Sequence, residues 1–572
     1  MNGEERMALN GRLAELFEEM ADLLELQGVE WKPNAYRKAA RVIETLEEPV
    51  EDIGRRGLKA LTELPNIGEG IANKILEFLK TGRLKEFEVL SKSVPKGVEE
   101  MLHVQGLGPK KVMRLYRELN IKSVKELKKA AEEGRLRKLS GFGEKSEQDI
   151  VKGLSLLEQG KERKLLSLGL SWSREIASRL KKVQGVKRAE PAGSVRRMKE
   201  TIGDVDVLVI SKDPKKVMET FTKMPEVERV LAKGDTRSSV ILNDGLQADV
   251  RVLDEKSFGA ALQYFTGSKE HNVRLRQIAI RKGFKLSEYG LFRNDKYVCG
   301  KTEEEVYRKL GLNWIPPELR ENQGEFEKNI PRLVSMADMQ GDLHMHSKWS
   351  DGWNTIEEMA LTAQKAGYKY IALTDHSKSE RIANGLDEKR LVKYLKEIDK
   401  VQKKVDITIL KGSEVDILKD GSLDFKNKYL KELDFVLGAV HSGFKSPKAD
   451  MTKRILKAFD NPYINALAHP TGRVVHQREG YAFDAEKIMS AAKERGIALE
   501  VDSYPSRLDM RDELVQKAVD MGCKISIDTD SHSVEHLRYM ELGVAQARRG
   551  WAQAKDVINA LSLKKLQTFL KR

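Results

Sequence analysis

Three carboxylates carry the first chemistry legible in this 572-residue sequence. Gly203-Asp204-Val205-Asp206 sets two aspartates one residue apart, and Val207, Val209 and Ile210 continue the run as a strand. Alternate side chains of a strand face the same side, so Asp204 and Asp206 point together. A second run, Ala248–Leu253, carries Asp249 on another strand that could bring it to the same face. Three converging carboxylates make an oxygen-rich site for Mg²⁺ or Mn²⁺. Two such ions serve phosphoryl chemistry by activating a hydroxyl and neutralising the transferring group. Upstream lies Gly193-Ser194-Val195-Arg196-Arg197. Gly193 and Ser194 can approach a triphosphate with backbone and hydroxyl, and Arg197 offers a fork of donors. Asp-x-Asp alone is common on strand edges. With Gly-Ser before it and a third aspartate after it, nucleotidyl transfer is the expected chemistry.

Eight of the ten histidines follow residue 343. They come in short separate pieces with acidic neighbours: His344 and His346, Asp351, His376, Glu414, His441, His469, then Asp530 and His532. Mixed nitrogen and carboxylate donors suit Zn²⁺, Mn²⁺ or Fe²⁺ better than Mg²⁺ alone. A single histidine is more often a buried hydrogen-bonding residue than a ligand, but nine metal-type residues at the ends of apolar runs are not. His476 and His536 lie outside these pieces and read as surface or supporting residues. Arg473, four residues past His469, either clamps a phosphate or caps a loop.

The elements that must position these groups change character along the chain. The first 160 residues repeat apolar positions at helical spacing, as in Leu13, Leu16, Phe17, Met20, Leu23 and Leu24. Three glycine hairpins interrupt them, at Gly68 and Gly70, Gly106 and Gly108, and Gly141 and Gly143. Each precedes a helical run and looks like a helix-hairpin-helix element, whose backbone N–H groups can meet a DNA phosphate. Strand-like runs begin near residue 186. Residues 313–324, with paired prolines and many polar groups, resemble a linker. Beyond it strands and helices alternate: Tyr370–Thr374, Ile407–Leu410, Phe435–Val440, Ile464–Ala468, Ile497–Val501 and Ile525–Ile527. That alternation predicts a barrel of parallel strands with the histidines at the strand ends.

Residues 1 to about 315 resemble the family X DNA polymerases, through the spacing of Gly-Ser-x-Arg-Arg to Gly-Asp-x-Asp and through Tyr264-Phe265-Thr266-Gly267-Ser268. The resemblance implies that Asp204 and Asp206 bind both metals and that Asp249 holds the catalytic one. It places Tyr264, Phe265 and Gly267 beside the nucleotide sugar, and Asn272 and Arg276 at the nascent base pair. Gln247 stands where some relatives carry arginine. Asn34–Ala40 and the run around Lys74 resemble the small lyase domain of that family; Lys74 aligns with its Schiff-base lysine, and Gly70 replaces an assisting basic residue. Residues 336–572 resemble the polymerase-and-histidinol-phosphatase (PHP) family. By that likeness the nine late residues hold two or three metals, Glu414 bridges two of them, and the reaction is phosphoester hydrolysis.

The implied chain is multidomain: a lyase-like helical domain over 1–85, helix-hairpin-helix fingers over 86–160, an α+β nucleotidyltransferase palm over 161–256, a thumb over 257–315, a linker over 316–335 and a distorted (β/α)7-type barrel over 336–572. Gap-filling DNA repair synthesis with metal-dependent 3′-end processing is the expected function. The alternative is a polymerase whose barrel is a metal-stabilised docking module. Composition agrees with a nucleic-acid partner. The net charge is +14, and residues 101–200 hold 25 Lys and Arg against 12 Asp and Glu. Mean hydropathy is −0.50, no secretory leader is recognisable, and no apolar run nears the roughly 20 residues of a bilayer span. Cys299 and Cys523 form no zinc or disulfide pattern. A cytoplasmic monomer acting on gapped or nicked DNA with dNTPs is expected.

Overall fold

The computed structural model describes residues 3–44, 46, 49–92, 95, 97–104 and 107–571. They form two compact units: Met1–Lys161 with His476–Arg478, and Glu162–Val475 with Glu479–Arg572.

The first unit is built on helices. Leu13, Phe17, Met20, Tyr36, Ile75, Phe78, Val112 and Leu115 share its core. Gly68 caps the helix Glu69–Thr81 and Gly108 caps Pro109–Leu119, while Glu144–Glu162 follows Gly143. A side chain at Gly68, Gly70, Gly108 or Gly143 would point into open space. Glycine thus leaves open space beside these helix starts, whose first N–H groups have no partner within the helix. Gly141 has φ +80°, which a turn this tight asks of glycine. Gly106 lies outside the described residues.

The second unit starts with a five-stranded sheet in the order Val186–Pro191, Asp204–Ser211, Gln247–Leu253, Arg237–Leu242 and Val227–Lys233. Helices Leu166–Lys181 and Pro214–Thr222 supply Leu166, Ile176, Val217 and Phe221 to the core on this sheet. The helices Phe258–Thr266 and Lys269–Arg281 and a three-stranded antiparallel sheet follow. The segment expected to be a linker is not a free tether. Arg320 within it is fully buried, donates to the Ile315 carbonyl at 2.9 Å and pairs with Glu303 at 2.6 Å.

Seven parallel strands then run in chain order: Gly341–Met345, Tyr370–Leu373, Thr408–Asp416, Phe435–Ala439, Ala466–Leu467, Ala498–Asp502 and Ile525–Asp528. Most of their residues are buried, which is why they read as continuous apolar runs and not as alternating ones. A parallel bridge from Met345 to Ser531 brings the last strand back to the first and nearly closes the barrel. Two barrel leucines, Leu508 and Leu542, are buried in the core of the five-stranded sheet, and Trp551 joins the core of the following subdomain.

Candidate active sites

At the first site the strand register does the positioning. Asp204–Ser211 and Gln247–Leu253 are parallel neighbours with Asp206 opposite Asp249. Asp204 lies two residues along the same face. Asp249 is held by Gln247, whose Nε2 donates to one oxygen at 2.7 Å, and by a neighbour the sequence did not reveal, Ser239, whose Oγ donates to the other. Arg237 lies 3.5 Å from Asp249. Burial raises Asp206 to about 7, and the charges of Asp204 and Asp249 push the same way. Burial, then Asp249, also raises Asp204. Carboxylates that repel one another on one face are suited to a shared cation.

Gly193 opens a short helix, Gly193–Arg196, with φ +62°. A Cβ there would stand 2.8 Å from Asp206 Oδ2. Only glycine lets this turn lie against the aspartate. Ser194 sits in the first turn. Arg197 donates from Nε to Glu321 at 3.1 Å and from Nη1 to the Thr266 carbonyl. Arg196 pairs with Glu303 through both Nη atoms, at 2.8 and 2.7 Å. Gly203 precedes the strand, near Arg163. Tyr264 and Phe265 meet edge to face at 5.1 Å, and Gly267 turns with φ +65° beside Arg197. Asn272 donates to the Tyr264 carbonyl at 2.7 Å and accepts from Gln263 at 2.7 Å, so it braces this corner. Arg276 is exposed. In the other unit, Lys74 Nζ lies 2.5 Å from Glu86, which also accepts from Tyr36.

The second site gathers all nine late residues at the C-terminal ends of the barrel strands. His346, Asp351, His376 and His532 form one set of converging donors, His344, His346 and Asp530 a second, and His376, Glu414 and His441 a third. His469 Nε2 lies 2.9 Å from Glu414 Oε1. Glu414 is thus central: His344, His346, His376, His441 and His469 all lie within 3.6 Å of its oxygens. Burial opposes its charge, but His376, His441 and His344 hold it well below the usual carboxylate range. Burial and the neighbouring His532 and His376 lower His346 to about 3, which keeps it neutral and able to donate a lone pair.

The donor set fits cations. His344 Nε2, both nitrogens of His346, His376 Nδ1 and His469 Nδ1 are buried without a hydrogen-bond partner. Buried polar atoms are rarely left so, and His344 Nε2, His346 Nε2 and His376 Nδ1, all beside Glu414, are suited to metal ions. The outer nitrogens are fixed as ligand histidines require. His344 Nδ1 faces Glu500 at 2.7 Å and His441 Nδ1 faces Asp416 at 3.0 Å. His532 Nδ1 lies 2.8 Å from the Asp530 carbonyl, and its backbone N–H donates to His536 at 3.2 Å. Asp530 and His469 adopt positive φ, at 48° and 25°. Strained backbone of this kind persists where surrounding contacts fix it.

Arg473 caps a loop: it donates to the Leu508 carbonyl and pairs with Glu200 of the palm at 2.6 Å. The cation beside the metal-type cluster is instead Arg507, 3.5 Å from both Asp502 and Asp530. Sequence reasoning passed over Arg507 and Glu500. The available signal for Glu500 was a lone carboxylate inside the apolar run Ile497–Val501.

Comparison with known proteins bears on the family of the chain. Family models match for a helix-hairpin-helix domain over residues 8–84, a SAM-like helix-hairpin-helix tandem over 98–155, a DNA polymerase beta thumb over 261–321 and a PHP domain over 342–503. The DNA polymerase/3′-5′ exonuclease PolX of Bacillus subtilis is 39% identical over 565 residues, covering 97% of this chain and 98% of that protein. The chain belongs to the family X DNA polymerases. It is an enzyme of the branch that carries a C-terminal PHP domain. A probable phosphatase of Thermoanaerobacter sp. strain X514 is 33% identical over 203 residues, a third of this chain and 78% of that protein. DNA polymerase lambda of Rattus norvegicus is 25% identical over 344 residues, about half of each chain. Among the described residues no helix is long and apolar enough to cross a membrane.

Proposed function

We propose that the palm site fills short gaps in DNA by nucleotidyl transfer from dNTPs, and that the barrel processes 3′ ends by metal-assisted phosphoester hydrolysis. The observation that carries the second activity is the set of orphaned imidazole nitrogens around Glu414. Asp204, Asp206 and Asp249 would hold Mg²⁺ or Mn²⁺, and the nine barrel residues two or three Mn²⁺, Zn²⁺ or Fe²⁺ ions. When bound, such ions polarise the phosphorus–oxygen bonds and ready the nucleophile at neutral pH.

The chain's own residues do the rest. Gly193 lets the backbone close on Asp206, Arg197 directs donors toward the incoming triphosphate, and Ser239 and Gln247 hold Asp249 in one orientation. In the barrel Glu500 and Asp416 orient His344 and His441, and Arg507 takes a phosphate oxygen of the substrate. The glycine hairpins hold gapped or nicked DNA by its phosphates. Lys74 is paired with Glu86, so lyase chemistry would require that pair to open first. The assembly we favour is a cytoplasmic monomer. Burial of Leu508 and Leu542 in the palm core supports a concurrent structural role for the barrel.

Two double substitutions test the division of labour. Asp204→Ala with Asp206→Ala should abolish primer extension on gapped DNA and spare 3′-end removal; His344→Ala with His346→Ala should do the reverse. Undiminished 3′-end digestion by the second variant would refute the hydrolase assignment. Extension surviving the first would refute the palm assignment.

A further inference from the structure

The barrel reaches the nucleotide site through one arginine. Arg549 ends the helix Met540–Arg549 and is 5% exposed. Its Nε donates to Asp512 at 2.7 Å, which anchors it to the barrel. Its Nη1 crosses to the polymerase side, donating to the Arg197 carbonyl at 2.8 Å, the Glu318 carbonyl at 3.1 Å and Glu321 Oε1 at 3.1 Å. That same Glu321 oxygen accepts from Arg197 Nε. The Arg197 main chain and one side of its guanidinium are thus tied, directly and through Glu321, to a barrel residue. The Thr266 carbonyl fixes the other side.

We propose that Arg549 is a positioning residue for nucleotide binding, acting through Arg197 and Glu321. This rests on the assignment of Arg197 to the incoming triphosphate. Two effects operate in the same direction. Arg549 fixes the Arg197 backbone, so the guanidinium is presented with little loss of side-chain freedom when the triphosphate arrives. Arg549 also shares the charge of Glu321, with Lys199 4.0 Å away. Arg197 is then only partly neutralised by that carboxylate and keeps its attraction for an anion. Without Arg549, Glu321 would turn its charge on Arg197.

The experiment is steady-state gap filling by the full-length enzyme, with 3′-end removal measured on the same preparation. Arg549→Met should raise KM for the dNTP about five- to tenfold while kcat and the 3′-end activity change by less than about twofold, the signature of lost binding common to ground and transition states. Arg549→Lys keeps the charge and loses the fork; it should raise KM about threefold. In an Arg197→Ala background, Arg549→Met should add nothing further, because its effect runs through Arg197. Unchanged or lowered KM in both Arg549 variants overturns the inference, as does an additive effect on Arg197→Ala. A parallel fall of both activities overturns it in favour of a general structural role. If Arg197→Ala itself leaves KM unchanged, the triphosphate assignment fails and this inference with it. If Arg197→Ala raises KM but neither Arg549 variant does, only the coupling fails.

Discussion

Gly193 shows how little room the nucleotidyl-transfer site leaves. Its φ of +62° already disfavours any other residue, and the missing Cβ would sit 2.8 Å from Asp206 Oδ2. Gly193→Ala must displace either the turn or the aspartate. Displacements near 1 Å at reacting groups cost on the order of 100-fold in rate. Gap-filling kcat is therefore expected to fall by about that factor, while 3′-end removal at the barrel stays unchanged; extension within about threefold of wild type would show that the turn can yield. The aspartates and Gly193 were legible because a strand's two-residue period and a glycine's backbone freedom are local properties. Ser239 was not legible. It meets Asp249 only through the antiparallel register of two strands, and nothing local marks a serine as the partner of a carboxylate ten residues away. Arg507 and Glu500 were hidden in the same way, by contacts that closure of the barrel creates.

At the scale of elements, one buried network joins palm, thumb and the segment after the thumb. Glu303, at the start of the helix Glu303–Lys309, accepts from Arg196, from Arg320 and from Trp314 Nε1. Arg196 also donates to Thr266 Oγ1 at 2.7 Å, in the middle of the Tyr-Phe-Thr-Gly-Ser segment. Residues 313–324 read as a linker because prolines and charges usually mark solvent-exposed chain. The sequence alone does not show that the charge of Arg320 is matched by Glu303 on another element. Burial opposes the Glu303 carboxylate, but Arg320 and Arg196 lower it to about 2. A carboxylate lowered on folding stabilises the protein above its unfolded value near 4.5, and that contribution disappears as pH falls through about 2. The shift corresponds to about 3 kcal/mol. Glu303→Gln is expected to lower stability by about that much at pH 7 and to narrow its gap from wild type steadily between pH 4.5 and pH 2, as followed by denaturant unfolding. A gap that stays constant over that range would mean the network contributes packing and not charge pairing.

At the scale of the whole molecule, palm and barrel are separated in the chain by the thumb but share a core. Leu508 and Leu542, both from the barrel, are buried with Val205, Val207 and Phe221 of the palm. Around that seam lie ion pairs of Arg473 with Glu200 at 2.6 Å, Arg174 with Glu541 at 2.7 Å and Arg548 with Glu318 at 2.7 Å. A seam with an apolar core should make the two parts lose structure together. Cations that bind the folded barrel stabilise it by mass action, by about 4 kcal/mol at a thousandfold excess over their dissociation constant. Because the palm core includes barrel side chains, that stabilisation should extend to an activity whose own carboxylates lie elsewhere. After a heat pulse with Mn²⁺ present, followed by assay under identical Mg²⁺ conditions, wild-type enzyme is expected to retain more gap-filling activity than enzyme heated after chelation. The His344→Ala with His346→Ala variant keeps the palm carboxylates and should lose most of this protection. Equal protection of the two proteins would show that Mn²⁺ acts through the palm alone and that the shared core does not carry barrel stability across the seam.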